Sequence, residues 1–213
     1  MTAAADLPDP TWSMLARRGL PVVAVEGVVP ILVFYGAWRA GGLAAGIVAA
    51  TVVSSAVVWW QLRRGHEATI AKLTLVFLVV QAAVGLVSGS ATVYLAQPVV
   101  LSAGWGIAYL ASAAVRRPLI ALFVQAWYPF PAWFRASAPY RREFAMQSAV
   151  WGLFFLARAA IRLWVLLDSG VGGFVVASLL TGLAPLGVLT AWSVWHARRT
   201  FSRLDLEGEH PFV

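Results

Sequence analysis

Six long, predominantly apolar stretches punctuate this chain, at residues 19–38, 41–62, 70–90, 95–115, 144–167 and 171–195. Each matches the length of about 20 residues that an α-helix needs to cross a hydrocarbon core about 30 Å thick. The 213 residues are 61% hydrophobic and 12% charged. A soluble domain would be closer to about 45–50% apolar and about 25% charged. A soluble globule, a disordered tail and a secreted disulfide scaffold are therefore excluded. So is a membrane β-barrel, whose short alternating strands give no such runs. The expectation is an all-α polytopic membrane bundle of about six transmembrane helices. Residues 1–18 read as a polar N-terminal segment, 19–195 as a single bundle and 196–213 as a tail. The stretch near 118–134 is apolar and aromatic but cut by Pro129 and Pro131, so it reads as a short interfacial or re-entrant segment.

The net charge of +7 does not point to nucleic acid, because the basic residues sit in short clusters between apolar runs. The amino terminus, the 63–72 loop, the 116–142 segment and the tail together hold thirteen of the sixteen Lys and Arg. The opposite-side loops hold only Arg39, and Arg158 and Arg162 lie inside a span. Thirteen against one places both termini in the cytoplasm and the bundle in the inner (cytoplasmic) membrane. With no cysteine, thiol and iron–sulfur chemistry are excluded. The histidines, His66, His196 and His210, read as loop or tail residues, which leaves no expected metal ligands and no expected cofactor.

Ionisable groups inside lipid are costly and are functional candidates by default. Glu26, in VVAVEGVVP, falls about 11 Å into the first span. Gly27, Pro21 and Pro30 beside it loosen the local backbone ladder. A protonated carboxylic acid in a dry cavity is a proton donor; the competing reading is an ion pair with Arg158. Asp168 closes the fifth span in LWVLLDSGVGG and is the second candidate acid, although an ordinary helix-end role explains its position better. Arg158 and Arg162 are one turn apart and share a face with Gln147, Trp151, Phe154 and Phe155. Eleven tryptophans are more than an interfacial belt requires. Trp105, Tyr109, Tyr94, Trp151, Phe154 and Phe155, with Tyr35, are candidates to line a cavity for a greasy cation, against the rival account of helix packing. Gly104 and Gly106 read as packing positions.

Three stretches, PVVLSAGWGIAYLASAAVRRPLIALFV (98–124), YRREF (140–144) and VWGLFFLARAAIRLWVLL (150–167), resemble the intracellular septation protein A-like group of small bacterial membrane proteins. That resemblance implies a six-span fold and no settled activity. In size, span content and the placement of one early and one late acid, the chain also resembles the membrane-bound terpene cyclases of meroterpenoid and indole-terpenoid pathways. The second resemblance implies a metal-independent cyclase or isomerase. Glu26 would protonate an alkene or epoxide of a prenylated, lipid-like substrate, the aromatics would steer the carbocation, and Asp168 would assist as acid or base. A prenyltransferase would be its natural partner. Two other classes stay open: a non-enzymatic envelope or septation-type scaffold, and a proton-coupled small-molecule transporter. Oligomeric state is open as well.

Overall fold

The structure, a computed structural model, describes residues 28–63, 68–127 and 130–204. Every regular element among them is helical. The chain divides into two compact units, Met1–Ala91 and Thr92–Val213.

In the first unit, α1 (Val29–Arg63) is a helical run broken at Gly42, whose φ of 80° and ψ of −174° belong to a region that only glycine occupies readily. The break is a reversal of direction. A Cβ built on Gly46 would lie 2.9 Å from Trp38 Cβ and 3.2 Å from Phe34 Cδ2, whereas a straight helix would hold residues 34 and 46 about 18 Å apart. The two arms therefore pack on each other around Phe34, Ile47 and Ala50, all buried. The sequence reading had ended one span at residue 38 and begun the next at 41, close to this reversal. Helix α2 (Ala68–Ser88) packs along α1.

The second unit is built around α6 (Ala138–Asp168), the 31-residue helix that packs against α4, α5, α7 and α8. Its start is set by Ser137, whose side chain accepts from the Tyr140 N–H at 3.3 Å, with Pro139 in the first turn. Before it come α3 (Ala91–Ala114), α4 (Leu119–Trp127) and α5 (Ala132–Ala136). After it come α7 (Gly170–Leu180) and α8 (Leu183–Leu204). Gly170, at φ 67°, makes the sharp turn that lays α7 back on α6.

The segment expected to stop short of spanning does so. Helix α4 has 9 residues and α5 has 5, and 9 residues reach only about 14 Å. Helix α4 is tied down by side chains that take up its first amides. Ser112 Oγ accepts from the Leu119 N–H at 3.1 Å, and Ser148 Oγ accepts from Ile120 at 3.2 Å. Phe130, Phe134, Tyr140, Phe144 and Phe201 then close an aromatic core between α5, α6 and α8.

Among the described residues, four stretches are long and apolar enough to cross a membrane: Val29–Arg63, Ala91–Ala114, Ala138–Asp168 and Gly170–Phe201. Thr74–Ser88 forms a shorter apolar helix. The chain is a helical membrane protein. Its last helix continues past residue 195 to Leu204, so His196, expected in the tail, is a helix residue.

Candidate functional site

Glu143, Gln147 and Trp151 are spaced four apart on α6 and form one stripe. Ser193, His196 and Thr200 form a matching stripe on α8, at spacings of three and four. The two stripes face each other. His196 Nδ1 lies 2.7 Å from Glu143 Oε1, and Gln147 Nε2 donates to the same oxygen at 2.8 Å. Gln147 Nε2 also reaches the Ser193 carbonyl at 3.2 Å, and Trp151 Nε1 donates to Ser193 Oγ at 2.9 Å.

Glu143 is only 5% exposed. A carboxylate taken so far out of water is tolerated only when donors surround it, and the imidazole and the amide supply them. The His196 ring is a third exposed and packs beside Trp192, with centroids 5.3 Å apart. A hydrogen on Nδ1 pointing at the carboxylate fixes the tautomer and leaves Nε2 as the working nitrogen. Two grooves open here. One of about 610 Å³ is lined by Glu143, Met146, Arg142, His196 and Thr200. The other, of about 310 Å³, is lined by His196, Thr200, Trp195 and Arg199. A carboxylate-oriented imidazole facing a groove can accept a proton at Nε2 and return it. Among the described residues no three His, Cys, Asp or Glu gather as a metal site.

Most of the aromatic candidates come together beside this pair. Tyr109 stacks on Phe155 with centroids 5.7 Å apart and an interplanar angle of 3°. Trp105 and Trp151 flank Tyr109 at 6.1 and 6.3 Å, and Phe154 packs on Trp151 and Phe155 at 6.5 and 5.7 Å. Trp151 joins the rings to the polar stripe through Ser193. Phe123, which the sequence reading did not select, completes the group 6.3 Å from Tyr109. Tyr109, at the centre of the group, is only 7% exposed, whereas Trp105 and Phe123 face outward. Tyr94 is buried on the same helix, fifteen residues or about 22 Å from Tyr109. Tyr35 belongs to the first unit, against Trp38 at 6.0 Å.

The acids chosen from sequence fall elsewhere. Glu26 lies outside the described residues, and the Glu26–Arg158 pair with it. Asp168 is exposed at the last position of α6, accepting from Ser169 Oγ at 3.0 Å, about 37 Å along the helix from Glu143. Arg162 donates from Nε to Thr181 Oγ1 and from Nη2 to the Ser178 carbonyl, both at 2.8 Å. Glu143 and His196 were overlooked because each stands just beyond the end of an apolar stretch. The available signal was the four-residue spacing of Glu143, Gln147 and Trp151.

Residues 19–204 match the family described as "Protein of unknown function (DUF3159)", and the chain belongs to that family. No curated protein and no solved structure matches it.

Proposed function

We propose that this family member is a six-span protein of the inner membrane, with both termini cytoplasmic, that uses the Glu143–His196 pair to move a proton on a lipid-like substrate. The observation that carries the reading is the 2.7 Å contact between a buried carboxylate and an imidazole lining a groove. The second resemblance supplies the reaction class, cyclisation or isomerisation of a prenylated chain. In that scheme a protonated carboxyl adds a proton to an alkene or epoxide, and the cation passes rings such as Tyr109 and Trp151. His196 Nε2 then takes a proton from the carbon beside the final cation, and the electrons of that C–H bond form the new double bond. Glu143 holds the imidazole in the right tautomer and stabilises the imidazolium that results. Asp168, at the far end of α6, is left out of the scheme. The six spans count the two arms of α1 separately, and the basic clusters orient them.

The test uses membranes carrying wild type, His196→Ala and Glu143→Gln, incubated with a panel of linear prenylated aromatics and analysed by mass spectrometry and NMR. A cyclic isomer of unchanged mass made by wild type and lost in His196→Ala supports the reading. The self-packed rings around Tyr109 favour a second reading, a non-enzymatic envelope scaffold, in which Glu143–His196 only fastens α8 to α6. Folded wild type that converts nothing across the panel selects the scaffold.

A further inference from the structure

Arg158 and Arg162 place two guanidinium groups one turn apart on a membrane helix, an arrangement that persists only with compensation. Arg162 finds it in a break of the neighbouring helix. Helix α7 stops at Leu180, Thr181 and Gly182 interrupt it, and α8 starts at Leu183. Arg162 donates to the Ser178 carbonyl and to Thr181 Oγ1, and Thr181 Oγ1 donates to the Ala177 carbonyl at 2.6 Å. A cation thus caps the free carbonyls where α7 ends.

Arg158 has no such solution. Its Nε is buried without a hydrogen-bond partner among the described residues, and so is Ser178 Oγ, on a residue 8% exposed. The described carboxylates are engaged elsewhere: Glu143 with His196 and Gln147, Asp168 with Ser169 at the exposed helix end. Two unsatisfied buried polar groups therefore accompany two positive charges at an interrupted membrane helix. Hydrogen-bond donors left over beside fixed cations form a receptor for an oxyanion.

We infer that Arg158, Arg162 and Ser178 bind the oxyanion head, carboxylate or phosphate, of a single-chain amphiphile that enters from the bilayer. Access from lipid rather than water follows from position. Arg158 lies ten residues, about 15 Å, inside the Asp168 end of α6, and Ile161, on the flank of α6 beside it, is exposed and apolar. An acyl or prenyl tail can lie along that surface. The guanidinium fork of Arg158 takes two oxygens, and the Ser178 hydroxyl donates to the head or its neighbour. The site is about 22 Å along α6 from Glu143 and does not depend on proton transfer there.

The test titrates the full chain in neutral detergent with oleate, dodecyl phosphate, oleyl alcohol and inorganic phosphate, read by native mass spectrometry and thermal unfolding. Wild type is expected to retain one oleate or dodecyl phosphate per chain, and the tighter of the two identifies the head group. Arg158→Gln is expected to weaken that binding about ten- to hundred-fold, the scale of a lost charge-assisted hydrogen bond. Ser178→Ala separates binding from folding: it is expected to weaken the amphiphile while leaving the ligand-free protein at least as stable, because it removes an unsatisfied group. Equal binding by wild type and both variants overturns the inference, as does oleyl alcohol or inorganic phosphate binding as tightly as oleate.

Discussion

Two glycines two residues apart on α3 should respond to alanine with opposite sign. Gly106 is where α3 crosses α6. A Cβ there would sit 2.7 Å from Leu156 Cγ and 3.0 Å from the Gly152 carbonyl oxygen. The reciprocal Cβ on Gly152 would meet Leu110 Cγ at 2.7 Å and the Gly106 oxygen at 2.9 Å. The leucines can rotate away, but the carbonyls belong to helix backbones and cannot move without separating the helices. Overpacking of this kind costs about 1–3 kcal/mol. Alanine returns up to about 1 kcal/mol through its better helix propensity. With that gain in full, the net for Gly106→Ala or Gly152→Ala is a loss of up to about 2 kcal/mol. Gly104 has nothing within 4 Å of its would-be Cβ, so Gly104→Ala keeps only the gain and should stabilise by up to about 1 kcal/mol. Reversible unfolding in mixed micelles of dodecyl maltoside and dodecyl sulfate, followed by circular dichroism, measures each change. If Gly104→Ala and Gly106→Ala shift the midpoint together in the same direction, the crossing is not as tight as this reasoning requires. The double substitution Gly106→Ala/Gly152→Ala should depart from additivity, because both methyls compete for one gap.

Gly42→Ala should cost about 1–3 kcal/mol in the same assay, because the backbone there is in a region closed to side chains; an unchanged midpoint would mean that the reversal in α1 does not need it. Arg162→Met removes the donor to the Ser178 carbonyl and should loosen the end of α7, raising amide exchange over residues 178–186 about ten-fold or more if about 1–3 kcal/mol of hydrogen bonding is lost. Exchange at the wild-type rate would show that the break is held by something else.

Hydropathy and punctuation made much of the fold legible. The helical class, the short segment after Arg117 and the span boundary near residue 40 all follow from apolar length and paired prolines, which are local signals. Gly106 was legible as a packing position for the same reason. Gly104 was read the same way and faces open space, since spacing alone does not say which side of a helix a neighbour occupies. The ring cluster was partly legible, because Trp151, Phe154 and Phe155 share a helix face. Phe123 and Phe130 joined through tertiary folding of α4 and α5, which no periodicity announces.

The acid at the centre of the site was missed for a physical reason. The apolar runs stop beside Glu143 and His196, and closing a span there treats a charge at its edge as a marker of water. Glu143 is an exception because its compensation comes from another helix: His196 lies 53 residues later in sequence and 2.7 Å away in space. Arg162 repeats the pattern, taking its partners from Ser178 and Thr181 rather than from a carboxylate. In both cases a polar side chain inside the bundle is paired across the α6 surface, at a place where the neighbouring helix offers a ring nitrogen or a broken turn. The partners that matter for such a chain are thus fixed by which stripes α6 presents to α7 and α8. The four-residue series Glu143, Gln147, Trp151 identifies one stripe, and the pair Arg158, Arg162 identifies another. Each stripe joins α6 to one neighbouring helix, which is why the Glu143–His196 pair and the inferred oxyanion site occupy different stretches of the same helix and can be tested independently.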